Sequence, residues 1–98
     1  MPRVVFDDEA LSDFERILTH LITHGAVDAG ERVADVMSAT AILQHHPHIG
    51  RPVDDGLREL IIGRGSRGYV ARYRVLDADD LVIVLAVRGQ RERGFGRG

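Results

Sequence analysis

Arginine is the residue type in this sequence that could do chemistry. All 13 basic residues are Arg, and Lys is absent. They are unevenly spread: residues 1–50 hold 3 Arg against 8 Asp or Glu, and residues 51–98 hold 10 against 7. Nine of those ten are Arg58, Arg64, Arg67, Arg72, Arg74, Arg88, Arg91, Arg93 and Arg97. A guanidinium offers a planar fork that matches a carboxylate or a phosphate. It stays protonated, so it grips an anion but does not readily act as a base. Alternation over residues 69–76 puts Arg72 and Arg74 on one strand face, and Arg88 ends the next strand near that face. Close-set like charges need anions. The chain's own Glu59, Asp79 and helix acids are one source. An anionic partner is the other, either nucleic acid or an acidic peptide. The overall charge of −2 argues against strong non-specific affinity for nucleic acid.

Other chemistry finds little support. Gly63, Gly65 and Gly68 spell G-x-G-x-x-G, but Tyr69-Val70-Ala71 continues as a strand where a dinucleotide site would open a helix. The glycines read as a hairpin connection, in which Arg64 and Arg67 could meet phosphate or an acidic partner. His20 and His24 stand four apart, and His45, His46 and His48 cluster. His20 falls about 200° from Leu18, opposite the apolar stripe, so these are expected to be surface histidines. Ser12, Ser38 and Ser66 lie in no nucleophile motif. The carboxylates at 7–9, 54–55 and 77–80 read as turn and cap acids. There is no Cys, which removes disulfides and thiolates and fits a reducing, cytoplasmic setting. No cofactor and no metal site are expected.

The elements that must position the arginines come from periodicity. Ninety-eight residues suffice for a single domain with one core. The longest uncharged apolar run, Leu81 to Val87, is far below the roughly 20 residues of a membrane span. Arg3 to Phe6 reads as a short strand. Asp7-Asp8-Glu9 suits a helix start, since carboxylates cap free N–H groups and meet the positive dipole end. Leu11, Phe14, Leu18, Leu21 and Ile22 give a helical stripe, and Gly25 a stop. Asp28 with Glu31 resembles a capping box that opens a second helix carrying Val33, Val36, Met37, Thr40 and Leu43, ended by Pro47 and Gly50. The short link predicts an antiparallel helical hairpin. Leu57 to Ile62 and Tyr69 to Leu76 are β-like, with Tyr69, Ala71, Tyr73 and Val75 on one face. Asp77 to Asp80 is a turn. Leu81 to Val87 is continuously apolar, as a strand covered on both faces would be. The order β-α-α-β-β-β predicts an α+β fold, the hairpin packed on one face of a small, mainly antiparallel sheet. Residues 88–98 read as a basic tail.

Several segments in order resemble the ParE/RelE superfamily of bacterial toxins. They are His48-Ile49-Gly50-Arg51-Pro52, Leu57-Arg58-Glu59-Leu60, Tyr69 to Arg74, and Val82 to Val87 followed by Arg88-Gly89-Gln90-Arg91. The likeness runs over about residues 2 to 95. It implies the toxin of a type II toxin–antitoxin, or plasmid-stabilisation, module. It implies neutralisation by a small cognate antitoxin, ParD-like or another ribbon-helix-helix protein, with operator DNA reached only through that partner. The superfamily divides by target. ParE-like members bind DNA gyrase, and RelE-like members cleave mRNA on the ribosome. Cleavage through the 2′-OH needs a base, an acid and cationic stabilisation. Arg72, Arg88 and Arg91 could supply the cations. Phe95 stands where related chains often carry Tyr, and Gly89 where many carry His, so the resemblance points to a ParE-like gyrase inhibitor. The expected target surface is Arg64, Arg67, Arg88, Arg91, Arg93 and Phe95, and Arg72 and Arg74 are expected to meet the antitoxin. Tyr69 and Tyr73 could offer hydroxyls, but their face is expected to pack in the core.

Overall fold

The computed structural model describes residues 1–64 and 67–92. Strand β1 spans Arg3–Phe6. Asp7 is extended and its carboxylate accepts from the Glu9 amide, which starts helix α1, Asp8–Thr23. Gly25, at φ +80°, follows the last turn in the left-handed backbone that glycine adopts without a Cβ clash. The buried stripe of α1 is Ala10, Phe14, Ile17 and Leu21. Two residues of the predicted stripe, Leu11 and Ile22, are exposed instead, at 42% and 61%. They lie at the margins of the apolar face, and Ala10 and Ile17 take its centre.

Helix α2 spans Ala29–Ala39 and buries Ala29, Val33 and Val36. Asp28 stands at its N-cap, but no side-chain cap bond forms. Its backbone (φ −106°, ψ 24°) departs from the extended shape that aims a cap oxygen at the first turn, so the expected capping box is absent. A 3₁₀ turn over Thr40–Gln44 carries Leu43 into the core.

The sheet has five strands in the order β1-β5-β4-β3-β2. Strand β2 is Arg51–Pro52, β3 Arg58–Ile62, β4 Tyr69–Leu76 and β5 Leu81–Gly89. All pairings are antiparallel except β1 with β5. The fold is therefore the expected α+β layer pair with one added edge strand. Two residues ending in proline give β2 no period to read, and Pro52 suits an edge because it has no N–H to donate. The Asp77–Asp80 turn joins β4 to β5, with Asp80 left-handed at φ +50°.

Both helices cover one sheet face. Tyr69, Ala71 and Tyr73 of β4 join Val82, Val84 and Val87 of β5 against Phe14, Ile17, Leu21, Val33 and Val36. Phe6 meets the Phe14 ring edge-on at 5.5 Å. The other face carries no layer among the described residues. Strand β5 accordingly alternates from Leu81 to Leu85: Val82 and Val84 are fully buried, and Leu81, Ile83 and Leu85 are half-buried, before Ala86 and Val87 are both buried. The apolar run was expected to be covered on both faces. One helical layer covers one face, and the other stays open.

Two buried polar side chains complete the frame. A register shift near Arg72/Tyr73 marks a bulge between β4 and β5. Beyond it, β1 has ended at Phe6, paired with Val84, so the last residues of β5 pair with β4 on one side and have no strand on the other. Asp13, 1% exposed, fills that place: its Oδ2 accepts the Val87 amide at 2.9 Å. Tyr73, fully buried, donates its hydroxyl to Pro47 O at 2.8 Å and accepts from Gly50 N at 2.8 Å. Arg58 adds bonds to His48 O at 3.0 Å and Gly50 O at 2.8 Å, fixing the 47–50 turn from both sides.

Candidate functional site

The predicted arginines lie on two surfaces that meet at one end of the sheet, where β3 closes, β4 opens and β5 closes. The first surface is the open sheet face. Register aligns Arg51 with Glu59, Glu59 with Arg72, and Val70 with Arg88. Glu59 is 5% exposed and serves two arginines. Its Oε1 accepts from Arg51 at 2.8 Å, and its Oε2 accepts from Arg72 at 2.8 and 3.3 Å. Burial alone would raise the Glu59 pKa. Hydrogen bonds from Arg72 and Arg51, with their positive charges, outweigh it and hold the carboxyl below its ordinary value. Arg72 is thus partly neutralised by the chain itself. Arg74 is exposed one pair further along. Arg88 folds onto the turn after β5 and donates to Gly89 O and Glu92 O at 3.2 Å each.

The second surface is a cleft between the helices and the end of the sheet. Its deeper part, of about 290 Å³, is lined by Arg16, His20, Arg32, Tyr69, Arg91 and Glu92, among others. A shallower part, of about 220 Å³, shares Arg32 and Tyr69 and adds Asp35 and Arg67. Arg16 ties α1 to β5 and the segment after it, reaching Val87 O at 3.4 Å and Glu92 Oε1 at 2.7 Å. Arg32, Arg67 and Arg91 form no side-chain hydrogen bond or ion pair among the described residues.

The structure therefore divides the predicted set. Arg67 and Arg91 line the cleft, Arg64 begins the loop beside it, and Arg72, Arg74 and Arg88 occupy the open face. Arg93 and Phe95 lie outside the described residues. Sequence reasoning missed Arg16, Arg32 and the position of Tyr69 at the cleft floor. Nothing in the helical periodicity marks Arg16 or Arg32, because only the meeting of α1, α2 and β5 brings them to the cleft. Tyr73 is core, as its alternation predicts, and burial raises its pKa against the opposing Gly50 hydrogen bond and the Arg58 charge. His20 and His24 are exposed, with rings 4.1 Å apart, and no group of three metal-ligating side chains occurs among the described residues. No helix among them is long and apolar enough to cross a membrane.

Residues 4–94 match a family model described as the ParE toxin of the type II toxin–antitoxin system parDE. The chain belongs to the ParE toxin family. This ParE-family chain is 31% identical over 94 residues to Toxin RelE3 of Caulobacter vibrioides, covering 95% of this chain and 99% of that one. Its fold is shared by the chromosomal ParDE system of P. aeruginosa, with a TM-score of 0.75, 24% identity, and 91% and 96% of the two chains covered. The intact E. coli RelBE toxin–antitoxin complex follows with a TM-score of 0.62, 21% identity, and 95% and 100% covered. The resemblance read from the ordered segments is thereby established as membership of the ParE/RelE superfamily.

Proposed function

We propose that this ParE-family chain is a toxin that acts by binding, with DNA gyrase as its target and a cognate ParD-like antitoxin as its neutralising partner. One observation carries the reading. Around the β3–β4 arginines, on the open face and in the core beneath it, the described groups that could move a proton are already committed. Glu59 is held between Arg51 and Arg72, and the Tyr73 hydroxyl is buried with both a donor and an acceptor bond made. A face of guanidinium groups without a free base or acid binds anions and does not drive 2′-OH attack. Arg64, Arg67, Arg88 and Arg91 are the target-facing set, with Arg88 shaping the turn that presents Arg91. Arg72 and Arg74, on the open face, serve the antitoxin. The solved ParDE and RelBE systems of like fold support an antitoxin partner here.

A second reading rests on the cleft. Tyr69 and His20 stand there beside Arg16, Arg32 and Arg91, so a hydroxyl and an imidazole share the space with cations. That combination supports a RelE-like endoribonuclease. Purified toxin in a gyrase supercoiling assay and in a translating-ribosome cleavage assay separates the two. Loss of supercoiling without mRNA cuts is the expected result. Codon-specific cuts abolished by Tyr69→Phe would overturn it.

A further inference from the structure

We infer that the cleft between the hairpin and the end of the sheet is a docking groove for an acidic protein segment, with Arg32 of α2 as a principal anchor. The inference deepens the binding reading above and rests on the molecule acting by grip.

Three features carry it. First, Arg32 stands at the junction of both parts of the groove, with Arg91 in the deeper part and Arg67 in the shallower. These guanidinium groups come from α2, the β3–β4 connection and the segment after β5. None of the three has a side-chain partner among the described residues, although Asp35 and Glu92 line the same walls. Glu92 is instead taken by Arg16 at 2.7 Å. The fold thus spends one arginine on neutralising the local acid and leaves three forks facing the groove. Second, Tyr69 forms the floor shared by both parts. It is 9% exposed, so its ring is packed, and its hydroxyl makes no hydrogen bond among the described residues. A hydroxyl on a rigid strand beside unpartnered guanidinium groups is a fixed donor for a carboxylate. Third, the surroundings favour a peptide over a nucleic acid. Asp35 and Glu92 line the groove itself, where a continuous phosphate backbone would meet repulsion. Discrete carboxylates on a peptide can fall between those acids. Ile22 and Val27, 61% and fully exposed on the same hairpin end, offer apolar contact that a peptide uses and a phosphate chain does not.

The test uses the full-length toxin and a fluorescent ten-residue peptide of alternating Glu and Leu, followed by anisotropy, with a DNA oligonucleotide and an RNA oligonucleotide in parallel. The wild type binds the peptide more tightly than either oligonucleotide, and affinity falls with added salt. Arg32→Gln and Arg67→Gln each weaken peptide binding roughly tenfold, the loss of one charge-assisted contact per fork. Tyr69→Phe weakens it by about threefold to tenfold. Arg3→Gln, at the opposite end of the sheet, leaves it unchanged. Circular dichroism melts of each variant show that the fold is kept. No peptide binding by the wild type, unchanged affinity in Arg32→Gln/Arg67→Gln, or tighter oligonucleotide binding lost in the same variants each overturns the inference. The supercoiling assay is read separately. Peptide binding through these arginines, with supercoiling untouched, keeps this groove and overturns the gyrase reading alone.

Discussion

Removing one oxygen atom, by Tyr73→Phe, tests how the 47–50 turn is held. The ring still fills its place in the core, so no cavity opens. What is lost is the acceptor for Gly50 N and the donor for Pro47 O, both at 2.8 Å. Gly50 is buried, so its N–H loses its partner away from water, at a cost of about 1–3 kcal/mol. The partly buried Pro47 carbonyl adds about 0.5–1.5 kcal/mol. Arg58 still holds His48 O and Gly50 O, which keeps the turn in place and prevents the relaxation that would lower the cost. The sum is about 1.5–4.5 kcal/mol, or roughly 6–36 °C in Tm for a chain of this size. Urea unfolding followed by circular dichroism measures it, with an unchanged m-value showing that the unfolded state is not altered. Activity per folded molecule should match the wild type, because the hydroxyl supports structure and faces no ligand. A loss below about 0.5 kcal/mol would refute the assignment of the hydroxyl as the turn's anchor. A well-folded variant that had lost toxicity would refute its structural role. Burial raises the Tyr73 pKa, so the native state holds this proton more tightly than the unfolded chain does. The hydroxyl's contribution is therefore complete below pH 10 and is lost as pH rises past that value.

Other perturbations follow from the same contacts. Gly50→Ala places a Cβ 2.6 Å from Tyr73 Oη, 2.7 Å from its Cε1 and 2.9 Å from Glu59 O. It should destabilise by about 1–3 kcal/mol or more in a denaturant titration, and Tyr73→Phe should not rescue it, since the ring carbon and the carbonyl remain. Glu59→Ala removes the oxygen that accepts two N–H groups of Arg72 and the one that accepts from Arg51, and should cost about 2 kcal/mol, a figure discounted for the exposure of Arg51 and Arg72. Because the native Glu59 pKa lies below its ordinary 4.5, its contribution is present above that value and fades as pH falls through the native one. A stability–pH profile of Glu59→Gln should therefore run flatter than wild type below pH 4.5. Asp13→Ala strips Val87 N of its acceptor and should cost about 1–3 kcal/mol, whereas Asp13→Asn, which keeps an accepting oxygen, should recover most of it. Faster hydrogen exchange at the Val87 amide in the alanine variant would locate the effect.

Much of the architecture was legible because it rests on period and on local caps. The two-residue alternation from Tyr69 to Leu76 predicts which side chains of β4 face the helices, and Tyr69, Ala71 and Tyr73 are buried as it requires, although Val70 on the other face is buried too. Asp7 and Gly25 bracket α1 because a cap carboxylate and a left-handed residue are local requirements. The short strand β2 was not legible, since two residues display no period. The open second face of β5 was not legible either. Leu81 to Val87 has the same apolar composition whether a layer covers one side or two. The capping box at Asp28 shows the opposite failure: the right residue types are present, but the backbone angles at that position do not aim the carboxylate.

The guanidinium inventory, the absence of thiols and the order of elements follow from residue type and from neighbours within a few positions. Which arginines act together depends on how the chain folds back on itself. Glu59 claims Arg51 and Arg72 through strand register, and Arg16 claims Glu92 across 76 positions. Arg32, Arg67 and Arg91 are left facing one groove because α2, the β3–β4 connection and the end of β5 converge there. Charge pairing acts over a few ångströms in space, and separation along the chain carries no information about which acid will fold beside which base.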